Sequence, residues 1–477
     1  MSPAELTLQP LSNLSEAIAR RQLSSVELTR AYLARIEALD GRLHSFNSLR
    51  APAALAEAEA ADRAIAAGER RGPLHGIPVG IKDMIDVAGL PTTAQAVHRR
   101  DAVAAEDAGV VAALREAGAI ILGKQAMSEY AVGGTQLDHA WPPARNPWNL
   151  EMDALTSSSG SCVSVAAGLC AGSVGTETAG SIRAPAAWNG VAGLCPTVGL
   201  VSRRGVLPLS SSLDGVGPIA WTVRDCGLLL AGMVSSDPED RQRPGFRCPD
   251  RNRMETGVAG LRIGVARTYF EGDPDVDPQV LAATERSLDM LVQLGARLGS
   301  VTMGDFDRYS NIARAVAWPE EYEAHQAELE PVPERFTAVS RERLLTGRDF
   351  TVADYIRARR AREAAIAEFY AAMADMDVLV LPTMKVAALP IGFEFGELGR
   401  IEVSLTRPFN LMGVPALALC NGFTGSGLPI SIQVVGRYFD EDVVLQVGQA
   451  LEAALDLRDR RPAIAVEDHT GARGSVG

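Results

Sequence analysis

Apolar residues recur at two periods along this chain. Over 24–40 they keep helical spacing, with Leu28, Tyr32, Leu33, Ile36 and Leu39 on one face. Ser24 and Glu27 form a capping-box pattern ahead of that face, and Gly41 stands where a C-cap belongs. Further helices are predicted near 53–67, over 107–117 and 279–293, and from about 441 to 455. Short apolar runs alternate with them: 77–87, where Pro78 and Gly80 bar a helix, then 120–122, 261–266 (LRIGVA), 377–383 (DVLVLPT) and 430–436 (ISIQVVG). Strands alternating with longer helices predict an α/β fold built on a mixed, twisted sheet.

The same pattern divides the chain. Residues 1–70 read as a helical N-terminal region and 71–460 as one α/β core. A polar, turn-rich excursion is expected around 233–256 and a helical one around 300–375, where alternating charges over 320–365 suggest a solvated layer. Residues 461–477 read as a polar tail. No internal repeat is present, so the chain is read as effectively one domain.

With 477 residues, 47% hydrophobic and 22% charged, a large buried core is available. A net charge of −13 argues against nucleic acid and anionic membrane surfaces as partners. The first residues lack a continuous apolar h-region, and no run of 18 apolar residues occurs. The expectation is therefore a cytoplasmic protein with no membrane segment. Six cysteines without C-x-x-C spacing read as reduced, buried thiols. Of 46 basic residues only Lys82, Lys124 and Lys385 are lysine. Arginine stays protonated in proteins whereas a desolvated lysine can act as a base, so a lysine kept in an arginine-rich chain draws attention to its chemistry.

Residues 156–194 are rich in Ser, Gly, Ala and Thr, the composition of a segment whose backbone approaches a ligand. Ser157 and Ser181 lie 24 residues apart within it, and upstream GIPVGIKDMIDVAG (76–89) has Lys82 at its centre. Together they suggest a hydroxyl nucleophile, a relay hydroxyl and a lysine base. None of the six histidines sits in a triad motif, and no G-x-S-x-G elbow occurs. H-E-x-x-H and clustered Cys/His ligands are also missing, which predicts chemistry without a metal. Lys124 reads as structural and Lys385 as exposed. Arg183 is expected to tie loops to a carboxylate such as Asp214, and Trp188 reads equally as pocket lining or core.

The chain resembles the amidase signature family of serine hydrolases. The resemblance is carried by GIPVGIKDMIDVAG, GKQAMSEYAVGGT (123–135), NPWN (146–149), the 156–194 segment, SSSLDGVGPI (210–219), RPFNLMGVPAL (407–417) and GLPISIQVVGR (427–437), in the family's order over roughly 12–456. It implies a mixed twisted central sheet covered by helices on both faces, and no cofactor. It also implies a Ser–cis-Ser–Lys triad of Ser181 as nucleophile, Ser157 as bridging serine after a cis Thr156–Ser157 bond, and Lys82 as general base. Thr178, Ala179, Gly180 and Ser181 would form the oxyanion turn, with Ala131 beside the substrate. Thr156, Ser159 and Ala179 stand where the family prefers glycine.

The resemblance implies hydrolysis of C–N bonds. Apolar residues around Ala131, Val132 and Trp188 lean towards small, uncharged, somewhat hydrophobic amides, with carbamates (urethanes) and nylon-type oligomers as further candidates. Such an enzyme is expected to act as a monomer or homodimer with a small-molecule amide or carbamate as its partner. A second reading is the glutamine-hydrolysing subunit of a tRNA-dependent amidotransferase, placed behind the first because AVAWPEEYEAHQAELEPVPERF (315–336) departs from that subunit's pattern. A third is a catalytically inactive binding protein of the same fold.

Overall fold

The computed structural model describes residues 3–234, 251–393 and 405–466. Its centre is one mixed sheet of 11 strands among these residues. They are β1 (Phe46–Leu49), β2 (Pro78–Lys82), β3 (Ile120–Gln125), β4 (Gly172–Glu177), β5 (Ala192–Cys195), β6 (Gly215–Ala220), β7 (Arg262–Val265), β8 (Arg297–Ser300), β9 (Val378–Pro382), β10 (Ala416–Phe423) and β11 (Pro429–Val435). The spatial order is β1-β3-β2-β4-β6-β5-β10-β11-β9-β7-β8. The trio β3-β2-β4 is parallel, as is β9-β7-β8, and the strands between them pair antiparallel.

The parallel trio positions the chemistry. Every residue of β2, β3 and β4 is buried, as expected of strands covered on both sides. β2 ends on Lys82 and β4 ends on Thr176 and Glu177, so neighbouring parallel strands deliver these side chains to one end of the sheet. Packing here is close. A Cβ on Gly80 would lie 2.0 Å from Gln125 Nε2. The Gln125 amide occupies that space because it donates to Ser164 Oγ (2.6 Å) and accepts from Ser161 and Ser173.

Most predicted elements are present with small shifts. Helix Ser25–Leu43 carries the full Ser24–Glu27 capping box, but it runs through Gly41 and ends on His44 in the left-handed conformation. The apolar face continues to Leu43, which extends the helix past the glycine. The short strands β1, β4, β5, β6, β8 and β10 were not apparent from hydrophobic period; β4 and β5 are rich in small residues. Most of the 233–256 excursion lies outside the described residues, as do 467–477. The tail residues Ile464 and Ala465 are buried in a short helix.

The region over 320–365 is more than a solvated layer, because helices Phe306–Leu329 and Ala338–Thr346 present Glu321, Val339 and Arg343 to a cavity. Lys385 is buried rather than exposed and pairs with Asp273 at 2.7 Å, which compensates its charge.

One buried ion pair joins several of these elements. Glu177 at the end of β4 and Arg183 at the start of helix Arg183–Asn189 are both fully buried, 2.6 Å apart. Arg183 also donates to Thr406 O (3.0 Å), Asn410 Oδ1 (2.6 Å) and Gln433 Oε1 (2.7 Å), reaching helix Arg407–Met412 and β11. Arg183 therefore pairs with Glu177 and not with Asp214. Asp214 instead accepts from Thr178 Oγ1 and from the N–H groups of Leu209 and Ser210. Arg183→Met leaves the Glu177 carboxylate buried without its cation, so a loss of about 3–5 kcal/mol in stability is expected. Urea denaturation checks this, and an unchanged midpoint would contradict it.

Candidate active site

Lys82 sits fully buried at the end of β2 and makes no ion pair with any described residue. Its Nζ lies 2.7 Å from Ser157 Oγ, 2.8 Å from Thr176 Oγ1 and 3.3 Å from Thr176 O. Thr176 Oγ1 donates its own proton to Met84 Sδ (3.0 Å), so it receives one from Lys82. The Thr176 carbonyl can only accept. A neutral amine has two N–H groups and one lone pair. With both N–H groups spent on Thr176, the lone pair faces the Ser157 hydroxyl. Burial pushes the Lys82 ammonium down to about 7, against the weaker opposing pull of Cys162, Asp214 and Glu177. Lys82 does not pair with Asp83: that carboxylate is taken by Lys124, 2.9 Å away and equally buried, which gives Lys124 the structural place expected of it.

Ser157 follows a cis peptide bond from Thr156 and precedes helix Ser159–Ala166. Its neighbour Ser158 reaches across to the second serine: Ser158 N–H donates to Ser181 O at 3.2 Å. Ser158 Oγ donates to Thr176 O at 3.2 Å, closing the loop against the end of β4.

Ser181 lies in the turn between β4 and helix Arg183–Asn189. Gly180 takes φ = 135°, a conformation that side chains disfavour. The turn is held from behind by Glu177, whose Oε2 accepts from Ile182 N–H and Arg183 N–H, each at 2.9 Å. Burial pushes the Glu177 carboxyl up, but Arg183 and these N–H groups prevail and hold it below the usual range. Thr406 Oγ1 donates to Ala179 O (2.8 Å) from the other side. With those anchors in place, the N–H groups of Ala179, Gly180 and Ser181 find no acceptor among the described residues. Three such donors beside a serine suit a developing oxyanion.

Ser181 opens onto a cavity of about 230 Å³ that also receives Ala131, Thr156, Thr178 and Ala179. Ala131 takes a positive φ, and its own N–H is bonded to Ser128 O at 2.9 Å, so it serves as wall rather than donor. Its lining mixes apolar Val132, Leu209, Leu213, Ala317, Trp318 and Val339 with charged Arg314, Arg343, Arg407 and Glu321. The lean towards uncharged, somewhat hydrophobic amides took no account of these charged lining residues. Trp188 is core: it belongs to an apolar cluster with Leu155 and Met384, and its Nε1 donates to Val386 O at 3.0 Å.

Sequence reasoning passed over Thr176, Met84, Glu177 and the Glu321–Arg343 pair. Glu177 left a usable signal, an acid six residues before the arginine that follows the serine turn. Thr176 left none, since a threonine near a strand end is ordinary.

The amidase family profile matches residues 27–445. The chain belongs to the amidase family. It is 37% identical to a glutamyl-tRNA(Gln) amidotransferase subunit from Roseiflexus sp. (strain RS-1), over 96% of this chain and 98% of that protein. Among solved structures it resembles native peptide amidase from Stenotrophomonas maltophilia (TM-score 0.83, 32% identity, 95% of this chain and 98% of that one). It also resembles the corresponding glutamyl-tRNA(Gln) amidotransferase subunit from Thermotoga maritima (TM-score 0.78, 28% identity, 94% and 95%). Family members are enzymes acting on C–N bonds. The expectation of a monomer or homodimer with only a small-molecule partner is overturned by the two amidotransferase relatives, which are subunits. Placing the amidotransferase reading second on the strength of 315–336 was likewise misplaced: the likeness spans nearly the whole chain. Among the described residues no helix is long and apolar enough to cross a membrane.

A base that must lose its proton works above its pKa. With Lys82 near 7, the rate at which a fluorophosphonate labels Ser181 should rise through pH 7 and level off above it. Lys82→Arg should cut that rate by about 10²–10⁴-fold, since its charge cannot be removed. A rate flat from pH 6 to 8.5, or near-normal labelling in Lys82→Arg, would contradict this.

Proposed function

We propose that this protein is a serine amidohydrolase with Ser181 as nucleophile, Ser157 as relay and Lys82 as base. Its proposed substrate is the carboxamide of glutamine, hydrolysed beside protein partners within a larger enzyme. The observation that carries the chemistry is the fully buried Lys82 amine, whose Nζ lies 2.7 Å from Ser157 Oγ. Lys82 takes the Ser157 proton while Ser157 takes that of Ser181, and Ser181 Oγ bonds to the amide carbon. The oxyanion is held by the N–H groups of Ala179, Gly180 and Ser181. The C–N bond then breaks, the leaving nitrogen takes the relayed proton, and ammonia departs. Water attacks the acyl-enzyme by the same relay, freeing the acid and restoring Ser181.

The substrate reading draws on two supports. Full-length relatives at 37% identity are subunits of glutamyl-tRNA(Gln) amidotransferase. The Arg314 guanidinium on the cavity lining also suits a carboxylate-bearing amide such as glutamine. The apolar wall with Trp318 favours a second reading, an amidase for peptide amides or other aryl and alkyl amides, for which the peptide amidase neighbour is the parallel.

Ammonia release from glutamine, from a C-terminal peptide amide and from an aryl amide distinguishes the two, measured with and without candidate partner proteins. Glutamine turnover that falls by about 10³-fold or more in Ser181→Ala is expected. Turnover of the aryl or peptide amide alone would select the second reading, and activity surviving Ser181→Ala would overturn the nucleophile.

A further inference from the structure

A second, smaller cavity adjoins the one that holds Ser181, and Thr156 lines both. The segment 131–136 runs along the pair: Ala131, Val132 and Gly133 line the larger cavity, Thr135 and Gln136 the smaller. The larger measures about 230 Å³ and the smaller about 10 Å³. A space of that size has room for about one water, so no part of a substrate enters it as it stands.

The Thr156 side chain is held where the two cavities meet. Its Oγ1 donates to Gly133 O at 2.9 Å, which ties the residue before the relay serine to the 131–136 segment. A β-branched side chain has little freedom at χ1, and this bond removes more of it. The wall it reaches is braced from behind, since a Cβ on Gly133 would lie 2.4 Å from Val339 Cγ1. Thr156 therefore cannot yield by pushing that wall back. Ser159, the second residue of this loop standing where glycine was expected, lines the smaller cavity. With glycine at 156, no side chain would stand between the two spaces.

We propose that Thr156 is a specificity-determining residue: its side chain closes one end of the cavity beside Ser181 and limits the length of the acyl group that fits there. This rests on reading that cavity as the site where the amide binds. In a primary carboxamide the leaving group is ammonia, so everything else in the cavity is acyl group, and a wall at Thr156 acts on that part. The substrate class is then short-chain carboxamides, and longer homologues are excluded by the Thr156 side chain.

Two matched pairs test this: glutamine with its homologue one methylene longer, and butanamide with hexanamide. The wild type, with any partner proteins it requires, should prefer the shorter member of the pair it cleaves by about tenfold or more in kcat/KM, the size expected of a methylene without room. In Thr156→Gly that preference should collapse towards unity, whatever the variant does to turnover as a whole, because both members of a pair share the same serines and base. Thr156→Val keeps the volume and loses only the bond to Gly133, so it should hold the wild-type preference. If Thr156→Gly does not fold, Thr156→Ala makes the same comparison with the two outer atoms of the side chain removed. Equal turnover within the pair by the wild type, a preference that survives in Thr156→Gly or Thr156→Ala, or one that Thr156→Val also loses, overturns the role of Thr156 and leaves the amidase reading standing. A wild type that cleaves none of the four amides overturns both.

Discussion

Lys82 is buried with no carboxylate paired to it among the described residues, and the site is organised around that fact. An ammonium enclosed in this way gives up its proton far more readily than one in water, and a neutral amine is the form a base requires. Two other buried cations are treated differently. Lys124 receives Asp83 at 2.9 Å, and Arg183 receives Glu177 at 2.6 Å. Those two keep charge and hold structure together.

The partners Lys82 does have are chosen by hydrogen-bond direction. Thr176 offers two acceptors, its carbonyl and a hydroxyl whose proton is occupied by Met84. Each consumes one amine N–H, and what remains points at Ser157. The rest of the site depends on holding the second serine against this arrangement. The Glu177–Arg183 pair does so by gripping the N–H groups just after Ser181, leaving those just before it free. Structural and chemical roles are thus interleaved over the seven residues 177–183, with Glu177 and Arg183 anchoring the turn and 179–181 presented to the cavity.

Much of this was legible in the sequence, for identifiable reasons. Long helices with clean period and caps, such as Ser25–Leu43 and Glu441–Leu455, announce themselves through apolar spacing. Strands such as β9 do so through β-branched and leucine runs. β4 and β5 do not, because GSVGTE and AGLC carry small residues whose burial comes from neighbours rather than from their own hydrophobicity. Lys82, Ser157 and Ser181 were legible because motif context and the scarcity of lysine marked them. The charged wall was not, because Glu321 and Arg343 lie on helices whose alternating charges look like ordinary surface. Only the fold turns those two side chains inward to the same cavity. The role of Gly41 was misread for the opposite reason: a local turn signal yielded to the tertiary packing of Leu43.

The central claim is that Lys82 gives up its proton near neutral pH, and the chain makes that directly measurable. With only three lysines, a sample labelled with ¹³C at lysine Cε gives three resolvable signals, and Lys82→Met identifies one of them. The signal lost in that variant should titrate near pH 7 in the folded protein. If it instead titrates near 10.4, the ordinary value for lysine, the amine is charged at neutral pH and the account of the site is wrong.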